Sequence, residues 1–207
     1  MPNTRGLFIV IEGIDGTGKS TQTRLLEDWL RAQGRTVVRD REPTDGPWGK
    51  RLRESAATGR LSPGDELEYF LRDRREHVEG VITPALEAGT DVILDRYYFS
   101  NMAYQGARGF APAEIRRRNE EFAPVPDVLL ILDLPVDDAI SRIGDRGDRV
   151  NEFEQRGSLE RCREIYLSLA DEPFVHVIPS ECGIGEVQER LRAVVSSHFS
   201  APISTGL

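Results

Sequence analysis

One eight-residue stretch near the start of the chain constrains its fold more than any other feature. It reads Gly13-Ile14-Asp15-Gly16-Thr17-Gly18-Lys19-Ser20, and it matches the G-x-x-x-x-G-K-[ST] phosphate-binding pattern. An apolar run at 7–11 predicts a buried strand before it, and an amphipathic pattern at 20–33 predicts a helix after it. Since this motif is diagnostic only between a strand and a helix, the sequence predicts a nucleotide-binding α/β fold.

The residue types of this loop suit the binding of phosphate. Glycines let successive N–H groups point into one concavity, and a helix N-terminus adds positive potential. Lys19 adds a full charge, and Ser20 supplies a hydroxyl for the Mg²⁺ of a bound nucleotide. The residues expected around the donor phosphates are Gly13, Ile14, Asp15, Gly16, Thr17, Gly18, Lys19, Ser20 and Thr21.

Composition excludes several classes of partner. The net charge of −8 argues against a nucleic-acid polymer, whose binding needs a surplus of Lys and Arg. No apolar run approaches the ~18 residues of a membrane span, and residues 1–6 lack the pattern of a signal peptide. Two distant cysteines, Cys162 and Cys182, are typical of a reduced compartment, so we expect a cytoplasmic protein. Lysine occurs only at positions 19 and 50, so further phosphate contacts must come mainly from arginine.

Strand and helix patterns alternate along the chain. Apolar runs at 36–39, 91–95, 128–133 and 174–178 predict four more strands. Helical patterns fill the intervals at 49–59, 65–87, 112–122, 136–143, 159–170 and 185–199. Pro84 should bend or interrupt the end of the helix predicted at 65–87. This alternation predicts three layers, with a parallel sheet between helices, in a single domain spanning 1–207.

Two aspartates end predicted strands and compete for a role at the magnesium site. Ligands of such sheets bind beyond the carboxyl ends of the strands, where the loops that follow them converge. Asp95 ends one buried strand and can hold Mg²⁺ through water, with Arg96 beside it to bind a phosphate. Asp133 ends another strand and is the alternative. We rank Asp95 higher because Arg96 follows it, whereas Leu134-Pro135 follow Asp133.

Two further groups of residues have both a functional and a structural interpretation. Phe70 and Arg74 are four residues apart and so share a helix face, where they could sandwich and hydrogen-bond a nucleobase. On the residues alone, a core Phe and a solvated Arg is the favoured interpretation. Arg142, Arg146 and Arg149 lie among glycines and could close over a transferring phosphoryl group, or could form a solvated helix end.

Taken together, the motifs resemble the thymidylate kinase family over roughly residues 6–199. The phosphate loop alone indicates only a nucleotide-binding superfamily, and the combination is much more specific. It consists of Asp15 in that loop, Arg41-Glu42-Pro43, Leu71-Arg72-Asp73-Arg74-Arg75-Glu76-His77 after Phe70, Asp95-Arg96-Tyr97, Ser100-Asn101, Ala103-Tyr104-Gln105 and the arginine-rich segment. The resemblance implies a P-loop kinase fold with a five-stranded parallel sheet, a short arginine-rich lid at about 142–157, and a homodimer. It also implies transfer of the γ-phosphoryl group of ATP to dTMP with Mg²⁺.

The resemblance also implies a role for each matched residue. Phe70 would stack on thymine and Arg74 would bond its O4 edge. Tyr104 would crowd the 2′ side of the sugar, and Asp15 would meet the 3′-hydroxyl. The expected dTMP site comprises Asp15, Arg41, Pro43, Phe70, Arg74, Arg96, Ser100, Asn101, Tyr104 and Gln105, with Arg53 as a further candidate near the phosphate.

The lid is expected to supply the charge that faces the transferring phosphoryl group. Gly16 stands where one branch of the family carries an arginine, so that charge must come from elsewhere. Arg149 is the first candidate because it follows Asp148, as in the lid of similar proteins, and Arg146 is the second. Residues 150–152 look inserted relative to the family pattern. The expected catalytic set is therefore Lys19, Arg96, Arg149, Arg146 and Asp15, with Ser20 and Asp95 at the metal.

Two other functions compete with this interpretation. A kinase for another monophosphate or a small alcohol would share the phosphate loop but would not need Phe70, Arg74 or Tyr104. A guanine-nucleotide switch would need an Asn-Lys-x-Asp reader, and neither lysine of this chain is preceded by Asn.

Overall fold

The computed structural model describes residues 5–59, 61–144 and 152–200, without the side chains at 152–155 and 200. Its strands are Phe8–Glu12 (β1), Val37–Arg41 (β2), Asp91–Asp95 (β3), Val128–Asp133 (β4) and Val175–Pro179 (β5). Its α-helices are Lys19–Ala32 (α1), Pro47–Thr58 (α2), Pro63–His77 (α3), Thr83–Glu87 (α4), Tyr98–Tyr104 (α5), Pro112–Glu120 (α6), Val136–Gly144 (α7), Glu152–Leu167 (α8) and Ile184–Ser200 (α9). Every predicted strand is present within two residues of its predicted ends.

The five strands form one parallel sheet in the order β2-β3-β1-β4-β5. Strand β1 is central, with Ile11 opposite Asp95 on one side and opposite Leu130 on the other. The phosphate loop follows β1 directly. This register therefore places the loop beside the end of β3, where Asp95 and Arg96 lie.

Helices cover both faces of the sheet, which confirms the predicted three layers. Successive residues of a strand point to opposite faces. Phe8 and Val10 of β1 accordingly belong to one core cluster, and Ile9 and Ile11 belong to the other. The first cluster takes in Leu71, Met102, Ile115 and Tyr166 from α3, α5, α6 and α8. The second takes in Leu26, Leu30, Leu191 and Val195 from α1 and α9.

The long helix predicted at 65–87 is interrupted, as Pro84 suggested, but the interruption precedes the proline. A π-helical stretch, Val78–Ile82, separates α3 from α4, and the N–H of Thr83 donates to the carbonyl of Val78. Pro84 has no N–H to donate to the carbonyl of Gly80, so this carbonyl lacks the partner it would have in an α-helix. The hydrogen bonds at this point join residues five apart, as in a π-helix, and not four apart.

Two helix predictions were wrong. The predicted helices included none between 87 and 112, yet Tyr98–Tyr104 form α5. Six of its seven residues are buried, so it shows no alternation of apolar and polar positions from which a helix could be recognised. Helix α8 begins at 152, seven residues before its predicted start at 159.

The predicted lid is described only at its edges. Arg142 lies in the last turn of α7, while Arg146 and Arg149 fall in residues 145–151, outside the described residues. Among the helices of the described ranges, none is both long and apolar enough to cross a membrane.

Candidate active site

The phosphate loop curls between β1 and α1 and packs closely against its neighbours. Gly16 has a φ of 86°, and a Cβ atom there would lie 2.7 Å from the carbonyl oxygen of Ala139. A side chain at this position would need both a strained backbone and a shift of α7. In this conformation the loop has no room for a larger residue, such as arginine, at position 16. The side chain of Lys19 extends across the loop, and its Nζ atom donates to the carbonyl of Ile14 at 2.8 Å.

A cavity of about 200 Å³ lies over this loop and contains the predicted metal-binding pair. Its lining consists of Asp15, Gly16, Gly18, Lys19, Ser20, Thr21, Asp95 and Arg96. The Ser20 hydroxyl donates to the Asp95 carboxylate at 2.5 Å. Asp133, the alternative candidate for the magnesium site, has other partners: both of its carboxylate oxygens accept hydrogen bonds from Arg163, at 2.6 and 2.9 Å. The structure thus brings together the pair that the sequence ranked first.

Lys19 is almost fully buried in this cavity, at 6% exposure. Burial, followed by the nearby Arg96 charge, lowers the pKa of Lys19 to about 7, against the pull of Asp15 and Asp95. An anion in the cavity would favour the protonated ammonium. Binding of a polyphosphate should therefore be coupled to proton uptake by this side chain.

A second cavity, of about 240 Å³, adjoins the first. It is lined by Asp15, Glu42, Pro43, Glu66, Phe70, Arg74, Arg96, Tyr97, Ser100, Asn101, Tyr104 and Gln105. This set includes every residue predicted for the acceptor site except Arg41. Arg41 is exposed and pairs with Asp45 at 3.1 Å, and Arg53 pairs with the same carboxylate at 2.8 Å.

Asp15 and Arg96 line both cavities and form the wall between them. The Arg96 guanidinium donates to one Asp15 oxygen at 2.5 Å, and the Tyr104 hydroxyl donates to the other at 3.0 Å. Burial acts to raise the pKa of Asp15, but the charges of Arg96 and Lys19 outweigh it, so the net shift is downward. The carboxylate is therefore ionised at neutral pH and can only accept hydrogen bonds.

Arg74 is held by partners that the sequence did not indicate. Its side chain is 1% exposed, its Nε donates to Glu42 at 2.7 Å, and a terminal nitrogen donates to the Asn119 Oδ1 at 2.5 Å. The Asn119 amide is itself oriented by a bond to the carbonyl of Ile115. Because the guanidinium is clamped at two points, its position at the cavity wall is set before any ligand binds.

His77 extends this clamp. Its Nδ1 lies 3.1 Å from the second Glu42 oxygen, and its Nε2 lies 3.2 Å from Asp40. Burial acts to lower the pKa of His77, but Asp40 and Glu42 raise it to about 9. Glu42 is therefore shared by two buried cations, Arg74 and His77. The motif Arg41-Glu42-Pro43 contained Glu42, but nothing in its spacing linked it to Arg74.

The amide of Asn101, a residue that lines the second cavity, has one unsatisfied acceptor. Its Nδ2 donates to Gln105 at 3.1 Å, while its buried Oδ1 has no hydrogen-bond partner in the described part of the chain. Buried acceptors in folded proteins are normally satisfied. A ligand with an N–H donor would complete this amide.

The sheet order, the phosphate loop after the central strand and the two adjoining cavities define a P-loop nucleotide kinase. A cavity with phosphate-binding groups faces a cavity with an aromatic ring, an arginine and an amide, and the two share Asp15 and Arg96.

Comparison with known proteins identifies the family. The family model described as thymidylate kinase matches residues 11–191. A thymidylate kinase of Akkermansia muciniphila is 51% identical over 195 residues, which are 94% of either chain. The thymidylate kinase of Xanthomonas euvesicatoria is 52% identical over 96% of this chain and 87% of its own. That of Xanthomonas campestris is 50% identical over 97% of this chain and 88% of its own. The chain belongs to the thymidylate kinase family.

Proposed function

We propose that this chain transfers the γ-phosphoryl group of ATP to dTMP, giving ADP and dTDP. The observation that carries the proposal is the shared wall of Asp15 and Arg96, which sets an acceptor cavity directly against the phosphate-loop cavity. Two bound nucleotides would then meet at their phosphates. The names of the relatives, thymidylate kinases at 50–52% identity, favour dTMP as the acceptor.

The acceptor cavity offers the groups that a thymine base needs. Phe70 supplies a half-buried ring for stacking, and Arg74, one turn further along α3, supplies donors for a base carbonyl. The unpaired Oδ1 of Asn101 would accept from the N3–H of thymine. Tyr104 closes the cavity beside Asp15, where an additional 2′-hydroxyl would be crowded.

Charge placement explains how these residues would promote the reaction without a general base. The second pKa of a phosphate monoester is near ~6, so the attacking oxygen is largely ionised at neutral pH. The main obstacle is repulsion between two polyanions. Lys19 places positive charge in the phosphate-loop cavity, and Arg96 places it at the wall that the two cavities share. Such preorganised charge stabilises the transition state for phosphoryl transfer. Arg149 and Arg146, outside the described residues, remain our candidates for the lid charge.

We also propose Ser20 and Asp95 as the residues that hold Mg²⁺ with the donor nucleotide. They meet at 2.5 Å in the phosphate cavity and present the oxygen ligands that Mg²⁺ prefers. The bound ion would neutralise charge on the donor phosphates. Removal of Mg²⁺ by a chelator should abolish ADP release, and excess Mg²⁺ should restore it.

The decisive experiment is a coupled ADP-release assay with Mg-ATP and a panel of monophosphates: dTMP, dUMP, dCMP, dGMP and UMP. We expect dTMP to give the highest kcat/KM. A higher value for another monophosphate would favour the competing function, a kinase that uses the same phosphate loop for a different acceptor. Loss of the dTMP preference in Phe70→Ala, with KM for ATP unchanged, would assign base selection to the second cavity.

We expect the active form to be a homodimer in the cytoplasm. The dimer follows from the family resemblance, and sedimentation velocity at micromolar concentration tests it, since a monomer peak alone would refute it. The cytoplasm is consistent with the cysteines, since Cys162 and Cys182 are both free thiols.

A further inference from the structure

A carboxylate that no motif singled out lies buried behind the wall between the two cavities. Glu12, the last residue of β1, is fully buried. Its Oε1 accepts from the backbone N–H groups of Tyr97 and Ser100, at 2.7 and 3.0 Å. Its Oε2 accepts from the hydroxyls of Ser100 and Tyr166, at 2.7 and 2.8 Å. Four donors from two distant segments thus converge on one side chain.

Such a buried carboxylate is tolerated only because donors surround it. Burial raises the pKa of Glu12, while the Arg96 charge and the bonds from Ser100 and Tyr166 act in the opposite direction. Each donor has two roles in consequence: it stabilises the carboxylate, and it is itself fixed in place. Loss of one donor would disturb the others, because they share one acceptor group.

The segment that Glu12 fixes is the one that carries Arg96. Arg96 has a φ of 73°, and it is the only non-glycine residue with positive φ in the described ranges. An L side chain adopts this conformation at a cost, and it persists where the surroundings impose it. Here the Arg96 N–H donates to Ile11, and the next N–H, of Tyr97, donates to Glu12. The end of β1 therefore holds the strained turn on both sides.

The side chain of Arg96 is linked to the same carboxylate through Ser100. One guanidinium nitrogen donates to the Ser100 hydroxyl at 2.9 Å, and the other donates to Asp15. The single Ser100 proton goes to Glu12, so the hydroxyl oxygen is free to accept from Arg96. Tyr166, from α8, lies 3.1 Å from the same hydroxyl and donates to the same carboxylate oxygen. The orientation of this hydroxyl thus depends on both Glu12 and Tyr166.

We propose that Glu12 and Tyr166 are positioning residues that orient Arg96 toward the phosphate of the acceptor nucleotide. Neither residue lines either cavity, so each acts on a bound nucleotide through Arg96, which is held by Ser100, by the backbone of residues 96–100 and by the nearby Glu12 charge. The inference rests on the proposed function, because it takes the group held by Arg96 to be a monophosphate. It predicts a selective effect: the loss of Tyr166's hydroxyl weakens recognition of the phosphate and leaves recognition of the nucleoside unchanged.

The test removes one hydroxyl and compares ligands with and without a phosphate. Calorimetry gives the dissociation constants of dTMP and thymidine for wild type, Tyr166→Phe and the control Tyr98→Phe. Tyr98 is a matched control because it is equally buried and also donates to a glutamate, Glu120 at 2.9 Å, but outside both cavities. Thermal unfolding of all three proteins shows whether the two variants lose similar stability.

We expect Tyr166→Phe to weaken dTMP roughly tenfold, as for loss of a hydrogen bond to a charged group, with thymidine within about twofold of wild type. Tyr98→Phe should leave both constants within about twofold. Equal weakening of dTMP and thymidine by Tyr166→Phe, or equal effects of the two variants, would overturn the inference and assign Tyr166 a purely structural role. If wild type itself binds no dTMP, the proposed function fails instead.

A second variant tests the path through the carboxylate. Glu12→Gln keeps the size of the side chain but removes its charge and places an amide donor among donors. The quantity compared is the ratio of the dissociation constants of dTMP and thymidine. In the double variant Glu12→Gln with Tyr166→Phe, we expect the change in this ratio to differ from the combined changes of the two single variants, because both substitutions act on one contact. Additivity of Glu12→Gln with Tyr166→Phe would show that the two residues act separately and would refute the path.

Discussion

Replacement of His77 by glutamine should remove a pH-dependent part of the stability of this protein. His77 is 4% exposed and lies between Asp40 and Glu42, whose carboxylates raise its pKa to about 9 against the opposing effect of burial. In the unfolded chain the pKa is near the ordinary value of 6.5. The folded state therefore holds the proton more tightly than the unfolded state does.

The sign and size of the effect follow from this difference. A group whose pKa is raised by folding contributes stability that is fully present below its unfolded pKa and is lost as the pH rises through its folded pKa. The relevant window is thus from 6.5 to about 9. Each pKa unit corresponds to about 1.4 kcal/mol, so His77 contributes at most about 3 kcal/mol at the acidic end of the window. Glutamine can bond the same carboxylates but carries no charge at any pH.

Urea unfolding of wild type and His77→Gln, from about pH 6 to about pH 9.5, measures this contribution. The quantity of interest is the difference in unfolding free energy between the two proteins at each pH. Other groups titrate in the same range, and Lys19, whose pKa burial lowers to about 7, acts in the opposite direction. Because Lys19 is present in both proteins, its effect cancels in the difference.

We expect this difference to shrink by about 2–3 kcal/mol as the pH rises through the window. His198→Gln, the same substitution at an exposed position of α9, is the control for the change of residue type. If the wild-type advantage over His77→Gln stays constant within about 0.5 kcal/mol, His77 is neutral in the folded protein, and the charge assignment of the Glu42 clamp is wrong.

Three further predictions concern catalysis. Lys19→Met should abolish turnover without unfolding, because it removes a charge at the phosphate loop; a kcat above a tenth of wild type, with normal circular dichroism, would contradict this. Phe70→Ala and Arg74→Ala should each raise KM for dTMP much more than KM for ATP, since base stacking is worth ~1–3 kcal/mol. Equal effects on both substrates would make them core residues. Arg149→Ala should lower kcat by ~10³-fold with little change in KM for ATP. If alanine variants at 142, 146 and 149 all stay within tenfold of wild type, the lid supplies no essential charge.

Local patterns were sufficient to predict the architecture and part of the site. The apolar run at 128–133 and the motif after β1 carry their signal within a few residues, because an apolar run and the geometry of a loop are both local. Phe70 and Arg74 meet at one cavity because a spacing of four places them on one helix face. The end of β3 brought Asp95 to Ser20 through a general property of parallel sheets.

The partners that hold these residues in place were decided by the tertiary structure. Arg74 depends on Asn119, 45 positions away, and Glu12 depends on Tyr166, 154 positions away. Neither Asn119 nor Tyr166 belongs to a motif, and each looks like an ordinary helix residue in sequence. Periodicity reports which face of an element is buried, but it carries no information about which polar group on another element lies opposite.

Arg96 shows in a single residue both what the sequence determined and what the tertiary structure decided. The sequence determined that a strand ends in an aspartate and that an arginine follows it, and thus that a cation lies at the edge of the sheet. Its φ of 73° and the direction of its guanidinium follow from bonds to Ser100 and to Ile11 and Asp15, and the last two lie more than 80 positions earlier in the chain. A local pattern selects among backbone conformations that are cheap, whereas a costly one is imposed only by contacts that exist once the chain has folded.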